Sequence, residues 1–269
     1  MKNKIFDCIT FFKENFITNI RFEILKNVVD YFVICESKYD HNGNKKKLNF
    51  QLQNSAIKNK IKYIVLEDPF PIYCKNNWER QAFQRDYMLN SIKNIKDNDY
   101  VFFSDPDEIP NPKILRKFNL KKKYGIFLQN CFNFKINLFN SYETPWEGTR
   151  VAKKKNIKSI DFMRQKVKMK NLKYSFFRFD KEKDIQIYNN AGWHFNNLMT
   201  YEEMSLKLKS FAHSEFSDDR FSSVDVIKYK VENKMDLFER GHVYKKIELN
   251  SSFPKYILEN KSKFKNYIL

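Results

Sequence analysis

The chain has 269 residues, of which 42% are hydrophobic and 17% aromatic, with only 5 Gly and 7 Pro. That length can bury a full core, and the composition excludes a disordered or low-complexity chain. The 50 Lys and Arg against 32 Asp and Glu give a net charge of +18, which predicts attraction to nucleic acid, an anionic membrane face or a diphosphate. No zinc-finger or RNP-type motif accompanies the lysines, so we expect a general positive field and no specific nucleic-acid partner.

Strand-like and helix-like patterns alternate through the first 118 residues. Short apolar runs bounded by turn residues predict strands at 5–12, 28–36, 61–66 and 100–103. Apolar residues at helical spacing predict helices at 16–27, 78–95 and 112–118, the last beginning at Asn111 or Pro112. This alternation predicts βαβ units and an α/β fold with a mainly parallel central sheet flanked by helices.

The pattern becomes less regular after residue 124. We predict one or two strands in 124–139, an irregular connection at 146–152, strands at 174–179 and 185–188, a G-W-H turn at 192–194, and helices at 201–212 and 224–240, the last capped by Gly241. No linker composition or internal repeat interrupts the chain. The prediction is therefore one domain over 1–269, with a nucleotide-binding half at 1–118 and an acceptor half with C-terminal helices at 119–269.

The four cysteines, Cys8, Cys35, Cys74 and Cys131, are far apart and form no C-x-x-C pair. We predict four reduced thiols, as is usual for a cytosolic protein. No apolar run is long enough to span a membrane, and no signal peptide is evident. The chain is expected to be cytoplasmic, with its positive charge allowing peripheral contact with an anionic membrane surface.

The stretch V-F-F-S-D-P-D-E-I-P, from Val101 to Pro110, carries the strongest functional signal. Residues two apart in an extended chain point the same way, so Asp105 and Asp107 can face one small volume. Two carboxylates held that close favour a cation between them, and Mg²⁺ or Mn²⁺ is the usual choice for oxygen ligands. A divalent ion at the carboxyl end of a strand suits a nucleotide diphosphate. The alternative is a polar turn in which Asp105 forms an Asx-turn and Asp107 caps the next helix.

Several segments, taken together and in order, resemble glycosyltransferase family 17, the inverting β-1,4-N-acetylglucosaminyltransferases. The resemblance covers roughly residues 5 to 215, and no single segment of it is specific. The matching segments are Arg21 with the helix leading into V-V-D-Y-F-V-I-C-E-S (28–37), the loop at 39–43, W-E-R-Q-A-F-Q-R (78–85), S-D-P-D-E-I-P (104–110) and G-W-H (192–194).

The resemblance implies a GT-A-like fold in which an aspartate motif holds Mn²⁺ on the diphosphate of a sugar nucleotide. It further implies transfer of GlcNAc from UDP-GlcNAc to a glycan hydroxyl, with Asp105 and Asp107 as catalytic metal ligands. A late histidine often completes such a metal site, and His194 is the candidate here, unless it is a packed core group. We expect this chain to lack the membrane anchor of the animal members, which leaves the acceptor open.

Further residues are candidates for contacts with the donor. Glu36 ends a strand at the sheet edge where α/β folds bind ligands, and we expect it near the uridine or ribose; the alternative is a structural ion pair. Arg80 and Arg85 lie on one helix, and we favour Arg85 for a phosphate contact over the exposed position common for helix arginines. Glu108 would support the metal ligands or, alternatively, occupy the first turn of a helix. Trp193 would stack on a sugar ring, as would Trp146, although core packing is the alternative for both.

An inverting transfer needs a general base to take the proton of the acceptor hydroxyl. Glu147, in the W-E-G-T-R connection, is our first candidate, with Asp161 and Asp184 as competitors. Two other function classes stay open at this point. One is metal-dependent nucleotidyl transfer, although no glycine-rich phosphate loop is present. The other is a basic nucleic-acid-binding protein, which would leave the D-P-D-E turn without a role.

Overall fold

A computed structural model describes residues 2–210 and 218–269 of the chain. The chain forms two compact units. The first unit comprises residues 1–128 and 147–192, and the second comprises 129–146 and 193–269. Residues 147–192 therefore belong with the N-terminal part of the chain, a division different from the two halves expected at residue 118.

The elements of the first part of the chain run in the order β1 (Ile5–Phe11), α1 (Asn15–Leu25), β2 (Tyr31–Ser37), β3 (Ile61–Leu66), α2 (Asn77–Tyr87), β4 (Tyr100–Ser104), β5 (Glu108–Pro110) and α3 (Pro112–Leu115). They are followed by β6 (Tyr124–Asn133), β7 (Leu138–Asn140), β8 (Trp146–Lys153), α4 (Ile160–Lys166), β9 (Ile185–Tyr188), β10 (Gly192–Asn196), α5 (Tyr201–Ser210), α6 (Asp219–Ser222), α7 (Val224–Glu232), β11 (Tyr244–Lys246) and α8 (Lys255–Glu259). Single-turn and two-turn 3₁₀ helices lie at Ser55–Lys60, Met88–Ile92, Lys154–Asn156, Met169–Lys173 and Lys261–Tyr267.

The first unit is built on a sheet with the strand order β3–β2–β1–β4–β8. The pairs β2–β3, β1–β2 and β1–β4 are parallel, and β8 runs antiparallel to β4. The strands β1, β2 and β4 of this sheet are almost wholly buried, which is why they read in the sequence as largely apolar runs. The predicted α/β class with a mainly parallel central sheet is confirmed.

Helices cover one face of this sheet with a single apolar core. Val33 and Val101 from the strands lie in one buried cluster with Met88 after α2 and with Ile160 and Met163 from α4. The core therefore joins β2 and β4 to the helix α4, which follows β8. This packing fixes where the polar residues of α4 lie.

The second unit has its own sheet and core. The end of β6 pairs with β10 in parallel and with β7 in antiparallel register, and β11 adds to β7. The helices α5 and α7 supply the apolar side chains Met204, Leu208, Ile227 and Val231 to a buried cluster that also contains Leu138 of β7. Among the described residues, no helix is both long and apolar enough to cross a bilayer.

Three predicted helices are shorter than expected, and the one predicted at 112–118 already ends at Leu115. The helix at 78–95 is α-helical only to Tyr87 and continues as a 3₁₀ helix to Ile92. The helix at 224–240 ends at Glu232 because Lys234 adopts a left-handed φ of 59° and Met235 N then donates to Lys230 O (2.8 Å). Gly241 therefore does not cap it. The helix predicted for 201–212 is present as α5, and its last two predicted residues lie outside the described part of the chain.

Three predictions of strand or loop are wrong. The supposed irregular connection at 146–152 is the strand β8, because it pairs with β4. The G-W-H turn is part of the strand β10, which pairs with β6. The strand predicted at 174–179 does not form; consecutive turns occupy that segment, and its phenylalanines point into solvent.

Candidate active site

The carboxyl end of β4 and the start of β8 lie side by side. Because β8 is antiparallel to β4, with Phe103 opposite Arg150, its first residues lie next to the point where β4 ends. The hydroxyls of Ser104 and Thr149 are 2.7 Å apart and join the two strands there. One edge of the sheet therefore collects the D-P-D-E turn after β4 and Glu147 at the start of β8.

The D-P-D-E turn is closed by Glu108. The backbone N–H of Asp105 donates to Glu108 Oε2 (3.1 Å), and the N–H of Glu108 donates to the carbonyl of Asp105 (3.1 Å). Glu108 is fully buried and begins β5, so a helix first turn is not its environment. Asp105 and Asp107 are both partly exposed. The turn thus holds one carboxylate inside and two at the surface.

Arg164 of α4 binds the turn from the side. Its guanidinium donates to both oxygens of Glu108 (2.8 and 3.0 Å), to Asp105 Oδ2 (2.6 Å) and to the carbonyl of Gly148 (3.2 Å). Burial by itself would lower the pKa of Arg164, but Glu108 and Asp105 outweigh it and raise that pKa. Arg164 is therefore a fixed cation that orients Asp105.

Arg21 also donates hydrogen bonds to the same turn. This fully buried side chain on α1 forms a two-point ion pair with Asp7 of β1, at 2.6 and 2.7 Å. It also donates to the carbonyl of Glu108 (2.7 Å) and to the hydroxyl of Ser104 (3.1 Å). A planar guanidinium can make these contacts together because its donors spread as a fork. The backbone of the turn is therefore anchored to the first strand and helix.

Glu147 lies beside a third arginine. Its Oε2 accepts from Arg150 Nη2 (3.0 Å) and from the backbone N–H of Met169 (3.1 Å), and about a quarter of its side chain is exposed. Burial and the neighbouring Arg164 lower the pKa of Arg150 to about 10. Burial and the two arginines also lower the pKa of Lys168. Three cationic side chains thus gather where Glu147 meets the D-P-D-E turn.

Glu36 makes structural contacts. It is fully buried at the end of β2, and Lys46 Nζ (2.6 Å), Tyr63 Oη (2.8 Å) and the backbone N–H groups of Asn49 (2.8 Å) and Phe50 (3.1 Å) all donate to its carboxylate. These contacts agree with the structural ion pair, the alternative weighed above. A contact with uridine stays a prediction.

The two arginines of α2 have separate environments. Arg80 donates to the carbonyl of His41 (2.8 Å) in the loop before β3. Arg85 is buried, forms an ion pair with Asp161 (2.8 Å) and lies over the ring of Phe103. Arg85 therefore joins α2 to α4 instead of occupying an exposed helix position. Asp161, a competitor for the role of base, is engaged in this pair.

The remaining base candidate, Asp184, lies outside this group of contacts. It is exposed just before β9, and its Oδ2 accepts from the backbone N–H of Lys123 (3.0 Å). No contact joins it to the D-P-D-E turn in the hydrogen bonds of the described residues. Of the three candidate bases, Glu147 is thus the one whose carboxylate is bound by Arg150, beside the D-P-D-E turn.

His194 and Trp193 belong to the second unit. The ring of His194 stacks on Trp146 (4.7 Å between centroids), and its Nδ1 lies 3.6 Å from Cys131 Sγ. Trp193 is buried and donates from Nε1 to the carbonyl of Ser252 (3.1 Å). These contacts are those of packed side chains. Sugar stacking by Trp193 and metal ligation by His194 stay predictions.

The family model described as glycosyltransferase family 17 matches the chain over residues 1–269. The chain belongs to glycosyltransferase family 17. The human β-1,4-mannosyl-glycoprotein 4-β-N-acetylglucosaminyltransferase is 30% identical over 101 residues, which are 34% of this chain and 19% of that enzyme. The enzymes of the same name from rat and mouse are 30% and 29% identical over the same length. The matched part is thus less than a fifth of the length of these relatives.

Solved structures resemble this family 17 chain only distantly. HddC from Yersinia pseudotuberculosis is 9% identical with a TM-score of 0.36, over 71% of this chain and 92% of that one. The inositol-1-phosphate CTP transferase from T. maritima is 12% identical with a TM-score of 0.32, over 100% of this chain and 99% of that one.

The donor atoms at the D-P-D-E turn limit how a metal ion can bind. The described residues contain no group of three or more His, Cys, Asp or Glu side chains positioned to hold a metal. Asp105 Oδ2 is bound to Arg164 at 2.6 Å, so the carboxylate of Asp105 would have to serve that arginine and an ion together. Mg²⁺ and Mn²⁺ commonly bind in this way, through one or two carboxylates with phosphate oxygens and water completing the shell. The residues fit an ion that arrives with a diphosphate.

Sequence reasoning missed the arginines that organise this site. Arg150 and Arg164 carry no motif, and Arg21 entered only as part of the resemblance. The available signal was indirect: two acidic side chains in an apolar setting, Asp7 within a strand and Glu108 before Ile109, require buried cations nearby. Sequence alone does not indicate which of the 50 basic residues supplies them.

Proposed function

We propose that this family 17 chain transfers GlcNAc from UDP-GlcNAc to a glycan hydroxyl with inversion, using Mn²⁺ or Mg²⁺ at Asp105 and Asp107. The observation that carries the proposal is the position of two partly exposed carboxylates, Asp105 and Asp107, beside Arg164 at the carboxyl edge of a parallel sheet, with Arg150 and Lys168 close to that arginine. Parallel α/β sheets bind nucleotides at that edge. The names of the curated relatives support the choice of sugar.

The charges at the edge suit a UDP leaving group. Breaking the anomeric bond places negative charge on the diphosphate, and fixed cations stabilise that charge more in the transition state than in the ground state. Arg164 is held by Glu108 and Asp105, so it needs no reorganisation during the reaction. Burial and both arginines lower the pKa of Lys168, and a phosphate bound beside it would favour the charged form of that side chain. A bound divalent ion would supply further neutralisation of the phosphate oxygens.

Glu147 is the proposed general base. Its Oε2 is fixed by Arg150 and by the N–H of Met169, which orients the carboxylate at the exposed end of β8. A base oriented in this way can take a proton from an acceptor hydroxyl at hydrogen-bond distance. Glu147→Gln should lower transfer far more than it lowers UDP binding.

Release of UDP from UDP-GlcNAc in the presence of Mn²⁺ tests the proposal, with UDP-glucose and UDP-galactose as alternative donors. Asp107→Asn preserves shape and removes charge, and it should lower turnover on the order of a thousandfold. Asp97→Asn is the matched control, because Asp97 is 73% exposed and makes only a 3.7 Å ion pair with Lys154. Unchanged turnover in folded Asp107→Asn would refute the metal assignment.

The same assay separates the competing enzyme class. Nucleotidyl transfer consumes a nucleoside triphosphate and releases pyrophosphate, whereas sugar transfer releases UDP. Pyrophosphate release without UDP release would replace the proposal. We also propose a reducing compartment such as the cytosol as the place of action, which the four unpaired, buried cysteines support.

A further inference from the structure

Three phenylalanines form an exposed cluster on the first unit. Phe176, Phe177 and Phe179 are 80%, 80% and 82% exposed, and we call them the aromatic tip. Their rings contact one another, with centroids 6.3 Å apart for Phe176–Phe177 and 6.2 Å apart for Phe176–Phe179. An exposed apolar patch of this kind marks an interaction site in a soluble domain.

The backbone beneath the aromatic tip is ordered by its own hydrogen bonds. The N–H of Arg178 donates to Ser175 O (3.0 Å), and the N–H of Phe179 donates to Phe177 O (3.0 Å). Lys183 Nζ also donates to the carbonyl of Ser175. The tip is therefore presented by a turn with internal structure, and little further ordering is needed when it binds.

Basic residues flank the aromatic tip along the chain, and Lys183 Nζ lies over the ring of Phe176. The segment from residue 170 to 183 contains two acidic residues and five basic ones, Lys170, Lys173, Arg178, Lys181 and Lys183. Asp180 is paired with Arg178 and Lys181, and Glu182 with Lys123 outside the segment. A positive charge thus remains around the rings. Exposed aromatic rings flanked by basic side chains suit a surface that has an apolar interior and an anionic boundary.

We propose that the aromatic tip docks the protein on an anionic lipid bilayer, with the rings entering the interfacial region and the lysines contacting lipid headgroups. Amphipathic membrane-surface segments combine aromatic rings on one side with Lys and Arg beside them. An acidic-protein partner would use the charges but leave the mutual packing of three phenylalanines unexplained. The proposal is independent of the donor sugar and of the metal assignment.

Docking at this tip has a consequence for the candidate active site. The 3₁₀ helix Met169–Lys173 leads into the aromatic tip, and the N–H of its first residue donates to Glu147, so the tip and the site are joined by a few residues of chain. Bound in this way, the enzyme would meet acceptors that are themselves carried on a membrane.

Vesicle co-sedimentation of the full chain tests the proposal, with phosphatidylcholine vesicles containing about a third phosphatidylglycerol against pure phosphatidylcholine. We expect binding to the anionic vesicles only, weakened by raising the salt from 0.1 to 0.5 M because screening removes the headgroup attraction. Replacing Phe176, Phe177 and Phe179 by Ser should weaken binding at least tenfold and leave the melting temperature unchanged, because the rings are exposed.

The matched control removes three other exposed apolar side chains, Leu206, Tyr229 and Val243, which are 69%, 62% and 56% exposed in the second unit. This control variant should bind vesicles as the wild type does. Equal loss in both triple variants, or wild-type binding by the tip variant, would overturn the proposal. Light scattering after size-exclusion gives a further check: a wild-type dimer that the tip substitutions convert to a monomer, without vesicle binding by either form, would show that the tip is an interface between copies.

Discussion

Arg164 is the side chain on which the candidate site depends most. The structure allows us to work out how much stability its removal would cost. Glu108 is 1% exposed as a side chain, and two of the four hydrogen bonds of Arg164 satisfy its carboxylate. Arg164→Met would remove those two donors from the buried carboxylate, while the N–H of Asp105 would still donate to it. Breaking a buried pair by removing one partner costs about 3–5 kcal/mol. The contact with Asp105 adds little, because Asp105 is 34% exposed and solvent screens it.

The expected result is a loss of about 3–5 kcal/mol in the free energy of unfolding, equivalent to a fall of roughly 10 °C in melting temperature. Urea unfolding followed by circular dichroism measures it.

A second substitution makes the reasoning refutable. Glu108→Gln in the Arg164→Met background replaces the buried charge with an amide of the same shape, and it should restore about 1–3 kcal/mol. Arg178→Met is the control, since the Arg178–Asp180 pair is exposed and its loss should leave stability unchanged. If Arg164→Met costs less than about 1 kcal/mol, or if the double variant is less stable than the single one, the buried pair does not hold the turn together.

Three further outcomes follow from particular contacts. Burial and two neighbouring arginines lower the pKa of Lys168, so the folded state binds that proton less tightly and stability rises with pH through the folded pKa toward 10.5. Lys168→Met should therefore raise stability at pH 7 and flatten the alkaline rise in urea titrations, while weakening UDP binding measured by calorimetry. Gly125→Ala should cost about 1–3 kcal/mol in the same unfolding assay, because the new Cβ would lie 2.7 Å from Val151 Cγ1; a neutral result would mean that Val151 moves freely. Thiol titration should find four thiols after denaturation and almost none before it, because all four cysteines are buried and unpaired; fewer than four after denaturation would indicate a disulfide.

The strands that the sequence predicts well are those composed mostly of apolar residues. Tyr31–Ser37 and Tyr100–Ser104 are almost wholly buried with a partner strand on each side, and Ile61–Leu66, at the end of the strand order, is also mostly apolar. Segments that depend on a partner were predicted poorly. Trp146–Lys153 has no alternating pattern and is a strand because β4 offers it an edge. Residues 174–179 have the composition of a strand but no partner strand, and they form turns.

The sequence by itself determined the family, the α/β class and the position of the D-P-D-E turn at the end of a buried strand, because local pattern and chain order carry that information. The tertiary structure alone decided which cations serve the turn. Arg21 is distant along the chain from Arg150 and Arg164, and the three meet at one sheet edge because α1, β4, β8 and α4 pack together there. A charge buried in one segment requires a counter-charge, but the identity of its partner depends on the distance between side chains after folding, and neither composition nor spacing contains that distance.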